Sequence, residues 1–435
     1  MKRLICFLLV SCFIAALVTV SIAKNTKSAI VTDKIIVPKL PDTYMEVRHI
    51  VLRGTNEEIG KALGDIGQQW LGIKKLLPFA APIYAKARRN YMQRNYPILL
   101  DRMNGVAKSY GLSPTDNTYV TSGLYYDIAP FACSAVFFPS NFTTNGHNLI
   151  GHNVDFHTAT MREMIGMKKV EGEHNLYSRN FVMEFYPDKG YPSIVIGAID
   201  LLNGFQGGMN SKGLIVTMLE DDLATPNTHA NPVGDDVGGL NMLQLCRLIL
   251  DTCATVDEAR TAILNNKLIV AFLPAHLQIA DLSGKSFIFD TAPGDLSYHY
   301  TENDGKPQVI TNHAVFLYPD TKKFPTYTSK GTYNTFYRYV QLSNYVKNHQ
   351  GKFSPANVNE AMSLAYAHTT DIAERSVGPL PHRTLWNVLY DINERSLEVK
   401  FYLKDGPIDP STGDPSLVFT EPLKFKLKKA EKMIR

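Results

Sequence analysis

The chain has 435 residues, 45% of them hydrophobic and 20% charged, with glycine and proline at ordinary levels. That is ample for a large packed core, and it excludes fibrous and disordered classes; length alone suggests two or three domains. The formal net charge is +4, falling to +2 if Lys2 and Arg3 leave with a signal segment, too small to point to nucleic acid or a strongly anionic partner.

Residues 1–23 read as a cleaved secretory signal: a basic start at Lys2 and Arg3, an apolar run from Leu4 to Ile22, and small residues Ser21 and Ala23 before the cut. Export to a secreted, periplasmic or lumenal location follows. A retained anchor and lipidation of Cys12 in Leu9-Val10-Ser11-Cys12 are the alternatives, the latter leaving an apolar stub from Phe13 to Ile22. Signal removal takes Cys6 and Cys12 with it and leaves three cysteines, so at least one thiol is unpaired within the chain. Cys246 and Cys253 are two turns apart on a helical stretch, roughly 10 Å, too far for a disulfide.

Residues 24–132 are expected to form a helical leader. A linker, Val37 to Pro41, precedes a capping-box pair, Thr55 with Glu58, and helical periodicity over Ile59–Leu77. A second helical block spans Tyr84–Tyr110 and ends at Gly111 and Pro114. From Cys133 to Arg435 the texture changes to short strands: Ser134–Phe138, Asn148–Phe156, Asn180–Phe185, Ser193–Ala198 and Leu214–Leu219. Helices over Gly239–Thr252 and Val256–Asn265 follow, then strands at Ala275–Ala280, Ser286–Thr291, Leu296–Tyr300 and Gln308–Thr311. Two helices, Thr335–Lys347 and Ala356–Tyr366, and a hairpin, Leu385–Asp391 with Leu397–Leu403, complete the core, and Lys424–Arg435 reads as a solvated basic tail. Strands in runs with helices in blocks predict antiparallel α+β architecture rather than a doubly wound sheet.

Four elements carry possible chemistry. Cys133 stands where the leader gives way to the strands. If the Ala132–Cys133 bond were broken, its α-amine, titrating near pH 8, would serve as base to its own thiol. Asp155, at the end of the Asn148–Phe156 strand, lies beside Cys133 if the two strands are neighbours. Gly207-Gly208-Met209-Asn210 is a glycine-rich turn that presents a backbone N–H or merely closes a hairpin. Asn312, after an apolar strand, either forms a turn or aims its amide at a developing oxyanion. His147, His152 and His157 invite a metal reading, but steps of five alternate faces along a strand, so neither metal nor cofactor is expected.

In order along the chain, these motifs resemble the cysteine-type N-terminal-nucleophile amidases: Cys133 with its apolar strand, Gly151-His152-Asn153-Val154-Asp155-Phe156, Gly208-Met209-Asn210-Ser211-Lys212-Gly213-Leu214 and Thr311-Asn312-His313. That group holds bile-salt hydrolases, acid-ceramidase-like amidases and the autoproteolytic acyltransferases of penicillin precursors. The last branch is the most similar, its opening matched by Val47-Arg48-His49-Ile50-Val51-Leu52-Arg53-Gly54-Thr55 and Glu58-Ile59-Gly60.

The resemblance implies a four-layer αββα sandwich and self-cleavage before Cys133, with the two fragments staying together. It implies Cys133 as nucleophile, Asp155 holding the amine and thiol, and Asn312 with the Asn210 backbone N–H as oxyanion hole. Arg338, in Asn334-Thr335-Phe336-Tyr337-Arg338-Tyr339, would order the site. The implied reaction is cleavage of a linear amide with a lipid-like or aromatic acyl group, through an acyl-thioester, to water or an amine. His152 replaces the arginine of bile-salt hydrolases, and Ala132 the usual glycine before the nucleophile. A phospholipase-like esterase, a silent acyl-binding module and a zinc hydrolase on the three histidines are the competing readings.

Overall fold

The computed structural model describes residues 28–127, 132–221, 238–269, 275–292, 297–327, 334–370 and 379–428. The signal segment 1–23, with Cys6 and Cys12, lies outside them.

The leader opens with two strands, β1 (Ile30–Val37) and β2 (Glu46–Gly54), and the expected linker is the connection between them. Three helices follow, α1 (Asn56–Ile66), α2 (Pro82–Asn95) and α3 (Pro97–Ser109). The Thr55 hydroxyl accepts from the Glu58 amide, and the Glu58 carboxylate accepts from the Thr55 amide at 2.8 Å, completing the expected capping box. α1 runs on through a π-turn to Leu71 and stops at Gly72, whose φ of 71° is left-handed, short of the expected Leu77. The expected single helix over Tyr84–Tyr110 is two, because Pro97 has no N–H to continue α2. Where α1 crosses α3, a Cβ on Gly60 would overlap the Arg102 carbonyl and one on Gly105 the Glu57 carbonyl, so only glycine lets the backbones meet.

The body comprises β3 (Ala132–Phe138), β4 (Leu149–His157), the short α4 (Met161–Met164), β5 (Arg179–Pro187), β6 (Ser193–Gly197), β7 (Gly207–Asn210) and β8 (Ile215–Glu220). Next come α5 (Met242–Thr252), α6 (Val256–Asn265), β9 (Ala275–Ala280), β10 (Ser286–Thr291), β11 (Tyr298–Glu302) and β12 (Gln308–Ile310). The chain closes with α7 (Asn334–Asn348), α8 (Pro355–Ser363), β13 (His382–Asp391), β14 (Ser396–Ile408), β15 (Pro415–Phe419) and β16 (Leu423–Lys426).

The strands form two sheets. One has nine strands in the order β1-β2-β5-β6-β7-β8-β9-β10-β11; the other runs β12-β3-β4-β13-β14-β15, with β16 also paired to β14. Every pairing is antiparallel except β2 with β5, a parallel ladder from Glu46↔Arg179 to Gly54↔Pro187. α1, α5 and α6 pack on the first sheet, and α7 and α8 on the second. The sheets meet at β3 and β8, and the buried residues between them form one large apolar cluster. This is the four-layer αββα sandwich. β4 is buried on both faces although it carries His152, Asn153 and Asp155, so its polar side chains lie inside the molecule. The basic C-terminal stretch begins as β16, pairing Lys424 with Glu398, rather than as free tail.

Candidate active site

β3 and β4 are neighbours, with Ala132 opposite Asp155 and Cys133 opposite Val154. β12 flanks β3 on its other edge and delivers Thr311, Asn312 and His313 just past its end. Paired residues share a face. Cys133 therefore points with Val154 into the space between the sheets, while Asp155 lies with Ala132 on the face under α7 and α8.

Around the Ala132–Cys133 junction the polar groups interlock. The Cys133 amide donates to Asn312 Oδ1 at 2.9 Å. Arg338, from α7, donates Nη2 to the same oxygen at 2.7 Å and Nη1 to the Cys133 carbonyl, and sits 3.8 Å from Asp155 Oδ2. With its oxygen so occupied, Asn312 must turn its Nδ2 outward, where it donates to the Glu220 carbonyl at 2.7 Å. The Asn312 amide donates to Thr335 Oγ1 at 2.8 Å, and Thr384 donates to Asp155 Oδ1 at 2.6 Å. Cys133, Asp155, Asn312 and Arg338 thus form one buried network.

Burial dominates its electrostatics. It pushes the Cys133 thiol well up, helped by the neighbouring Asp155 charge and opposed by Arg338. It raises the Asp155 carboxyl to about 7, against the pull of Arg338 and the Thr384 hydrogen bond. The uncut chain therefore holds a protonated, enclosed thiol.

Asn210 does not join this group. Its amide donates to the Leu214 carbonyl at 2.9 Å, and its side chain ties the β7–β8 turn to the end of α5 through the Leu250 and Cys253 carbonyls. The turn lies at the far end of β8 from Glu220, roughly 20 Å away at the rise of a strand. The oxyanion role expected of its N–H is thereby corrected to that of a structural knot. The residues that sequence reasoning missed are Thr335, Thr384 and the Glu220 carbonyl. Thr335 stands in the motif of Arg338 but carries no role there by sequence, and Thr384 and Glu220 stand in none; their parts are found only through pairing and packing.

The three histidines do not converge. His147 bonds the Asp391 carboxylate at 2.8 Å, and His157 stacks on His382 with ring centroids 4.9 Å apart. His152 lies between the sheets with neither ring nitrogen bonded to protein, and burial drops it to about 3. Among the described residues no His, Cys, Asp or Glu cluster is placed to hold a metal ion. Cys246 and Cys253 are buried free thiols.

Comparison with known proteins places this site in context. The profile of the family described as acyl-coenzyme A:6-aminopenicillanic acid acyl-transferase matches residues 142–404. Solved structures with a similar fold include conjugated bile acid hydrolase from Clostridium perfringens, at TM-score 0.43 and 14% identity, covering 68% of this chain and 97% of that one. A second structure of that hydrolase gives 0.42 and 13%, over 70% and 100% of the two chains. Penicillin V acylase from Agrobacterium tumefaciens gives 0.40 and 17%, over 64% and 86%. No curated protein matches the chain.

Proposed function

The chain belongs to the acyl-coenzyme A:6-aminopenicillanic acid acyl-transferase family, and we propose that it acts as an exported, self-cleaving amidohydrolase or acyltransferase with Cys133 as nucleophile. The observation that carries this reading is the network of Cys133, Asp155, Asn312 and Arg338 closed around the backbone N–H and carbonyl of Cys133.

In the first step Cys133 Sγ adds to the Ala132 carbonyl carbon, and the thiol proton passes to the departing nitrogen. The C–N bond breaks, leaving a thioester and a free α-amine on Cys133. Water then cleaves the thioester, releasing the Ala132 carboxylate and restoring the thiol. Asn312 Oδ1 already accepts from the nitrogen that becomes this amine, and Asp155, opposite Ala132 on the neighbouring strand, stands beside the junction to hold it as ammonium.

With substrate, the amine takes the thiol proton, and the thiolate adds to the amide carbonyl. Collapse expels the substrate amine, protonated by the ammonium, and the acyl-thioester passes to water or to an acceptor amine. Asn312 Nδ2 has a second N–H to offer the oxyanion. Arg338 acts through Asn312 and Asp155 as a positioning residue.

The fragments stay together after the cut, because β2 sits inside the nine-stranded sheet and Arg102 of α3 pairs with Asp251 of α5. Intact mass under denaturing conditions tests the reading. Two species split between Ala132 and Cys133, with a Cys133→Ala protein remaining whole, are expected. A single uncut wild-type species without amidase activity would overturn it. Matched ester and amide substrates distinguish the esterase alternative.

A further inference from the structure

Directly beyond β4, two residues past His157, the chain makes a closed loop whose neck is the 2.8 Å bond from the Leu176 amide to the Ala159 carbonyl. Its shape is fixed from within. Thr160 and Glu163 form a capping box, the Met167 amide donates to the Arg162 carbonyl at 2.7 Å, and Arg162 Nε donates to the Lys168 carbonyl at 2.9 Å. The Glu173 carboxylate accepts from the amides of Arg162 and Val170, both at 3.3 Å. Compact loops closed at the neck and packed by their own groups are frequently functional.

What such a loop presents outward is informative. Met161 is 40% exposed, Ile165 65%, Met167 43% and Val170 50%, four large apolar side chains within ten residues. Arg162, Glu163 and Glu173 meanwhile are spent on bonds that hold the loop, so the exposed apolar side chains are its chosen outer face. The acids Glu163 and Glu173 are folded onto backbone amides, so Lys168 and Lys169, the latter also bonded to Asn175 Oδ1 at 2.8 Å, outnumber the one exposed acid beside Val170, Glu171. Lys39 and the exposed Leu40, on the β1–β2 connection, belong to the same rim, with Lys39 near enough to Lys169 to feel its charge.

The loop springs from the end of β4 that carries Asp155, so it stands at the Cys133 end of the sandwich. We propose that this loop is a membrane-docking surface that seats the Cys133 end of the protein on a bilayer bearing anionic headgroups. Ile165, Met167 and Val170 enter the acyl boundary, and Lys168 and Lys169 meet the headgroups, as interfacial segments of apolar and basic residues do. Resting on the amidase reading above, this narrows the substrate to acyl amides held in a membrane.

Vesicle binding tests the docking without any turnover. The full chain is sedimented with phosphatidylcholine vesicles containing 30 mol% phosphatidylglycerol, and with phosphatidylcholine alone. Binding is expected on the mixed vesicles, weakened about tenfold or more by the Ile165→Ser/Val170→Ser pair and about tenfold by Lys168→Gln/Lys169→Gln. A Met167→Trp protein should shift its emission to the blue on the same vesicles. Absence of wild-type binding, or binding that neither pair alters, overturns the proposal. Self-association of the vesicle-free protein that Ile165→Ser/Val170→Ser abolishes would assign the loop to a second copy and also overturn it. Intact mass separately reports cleavage at Cys133, so failure of docking and failure of the amidase reading are distinguishable.

Discussion

Removing the Asp251 charge should be among the most damaging single changes away from the site. Asp251 accepts from Arg102 at 2.6 Å and Arg247 at 2.7 Å, and the Tyr96 hydroxyl donates to it at 2.5 Å. Arg102, Arg247 and Asp251 are all wholly or almost wholly buried, and both guanidiniums also lie over the Phe185 ring. Burial opposes the carboxylate, but the two arginines outweigh it and hold Asp251 down at about 2.

Relative to an ordinary aspartate that shift is worth about 2.5 kcal/mol at neutral pH. Because the folded value is depressed, this contribution is present above about pH 4 and lost as pH falls through about 2. Asp251→Asn strands two buried cations and should cost about 3–5 kcal/mol, more than protonation alone. Scaled to the roughly 360 described residues, that corresponds to a fall in Tm of about 4–7 °C. Thermal unfolding followed by near-UV circular dichroism at pH 7 measures it. A loss below about 1 kcal/mol would refute the reasoning. So would a triple Arg102→Met/Arg247→Met/Asp251→Leu protein as unstable as Asp251→Asn, since removing all partners together should restore most of the stability.

Other expectations follow from the same physics. Asp155, raised to about 7, favours the fold when protonated, a contribution complete below about pH 4 and lost as pH rises through 7. The uncut Cys133→Ala protein should therefore lose up to about 4 kcal/mol between pH 4 and 9, and a further Asp155→Asn change should flatten that slope in denaturant titrations. Arg338→Lys keeps the charge but cannot bond Asn312 Oδ1 and the Cys133 carbonyl together. Self-cleavage followed by mass should slow about 10–100-fold. Asn210→Ala should lower stability by about 1–3 kcal/mol by unpairing the β7–β8 turn, while self-cleavage measured well below its Tm continues at close to the wild-type rate. Gly60→Ala, which drives a methyl into the Arg102 carbonyl, should cost about 1–3 kcal/mol or more in thermal unfolding.

The sequence was most legible where local chemistry decides structure. The caps at Thr55, Thr255 and Ser354 each set a helix start within a few residues, and α6, β9 and β10 fall where periodicity places them. The neighbouring of Cys133 and Asp155 needed only that two consecutive strands form a hairpin. Less legible were elements whose partners are remote. β1 drew no reading and β2 read only as a family opening, because β5, the sheet neighbour of β2, lies far along the chain. β7 is Gly-Gly-Met-Asn, too short and too bare of side chains to show a period. Asn210 was misplaced because its motif marks a turn equally well whether the turn faces a substrate or merely closes. Thr384 acts through a bulged register with β4 that no spacing encodes.

The placement of Asn312, Arg338 and Thr384 has a consequence for the order of events during synthesis. All three emerge from the ribosome long after Ala132–Cys133, and Thr384 belongs to β13, which cannot dock until β4 and β14 are ready to receive it. A nascent chain ending before α7 therefore carries its thiol without the groups that hold the bond in place. On the self-cleaving reading proposed above, chemistry at Cys133 waits for the last third of the protein, and a cut chain is a finished chain. Cleavage then serves as a built-in timestamp of complete folding, readable in a pulse-labelled cell as the delay between full-length product and its two fragments.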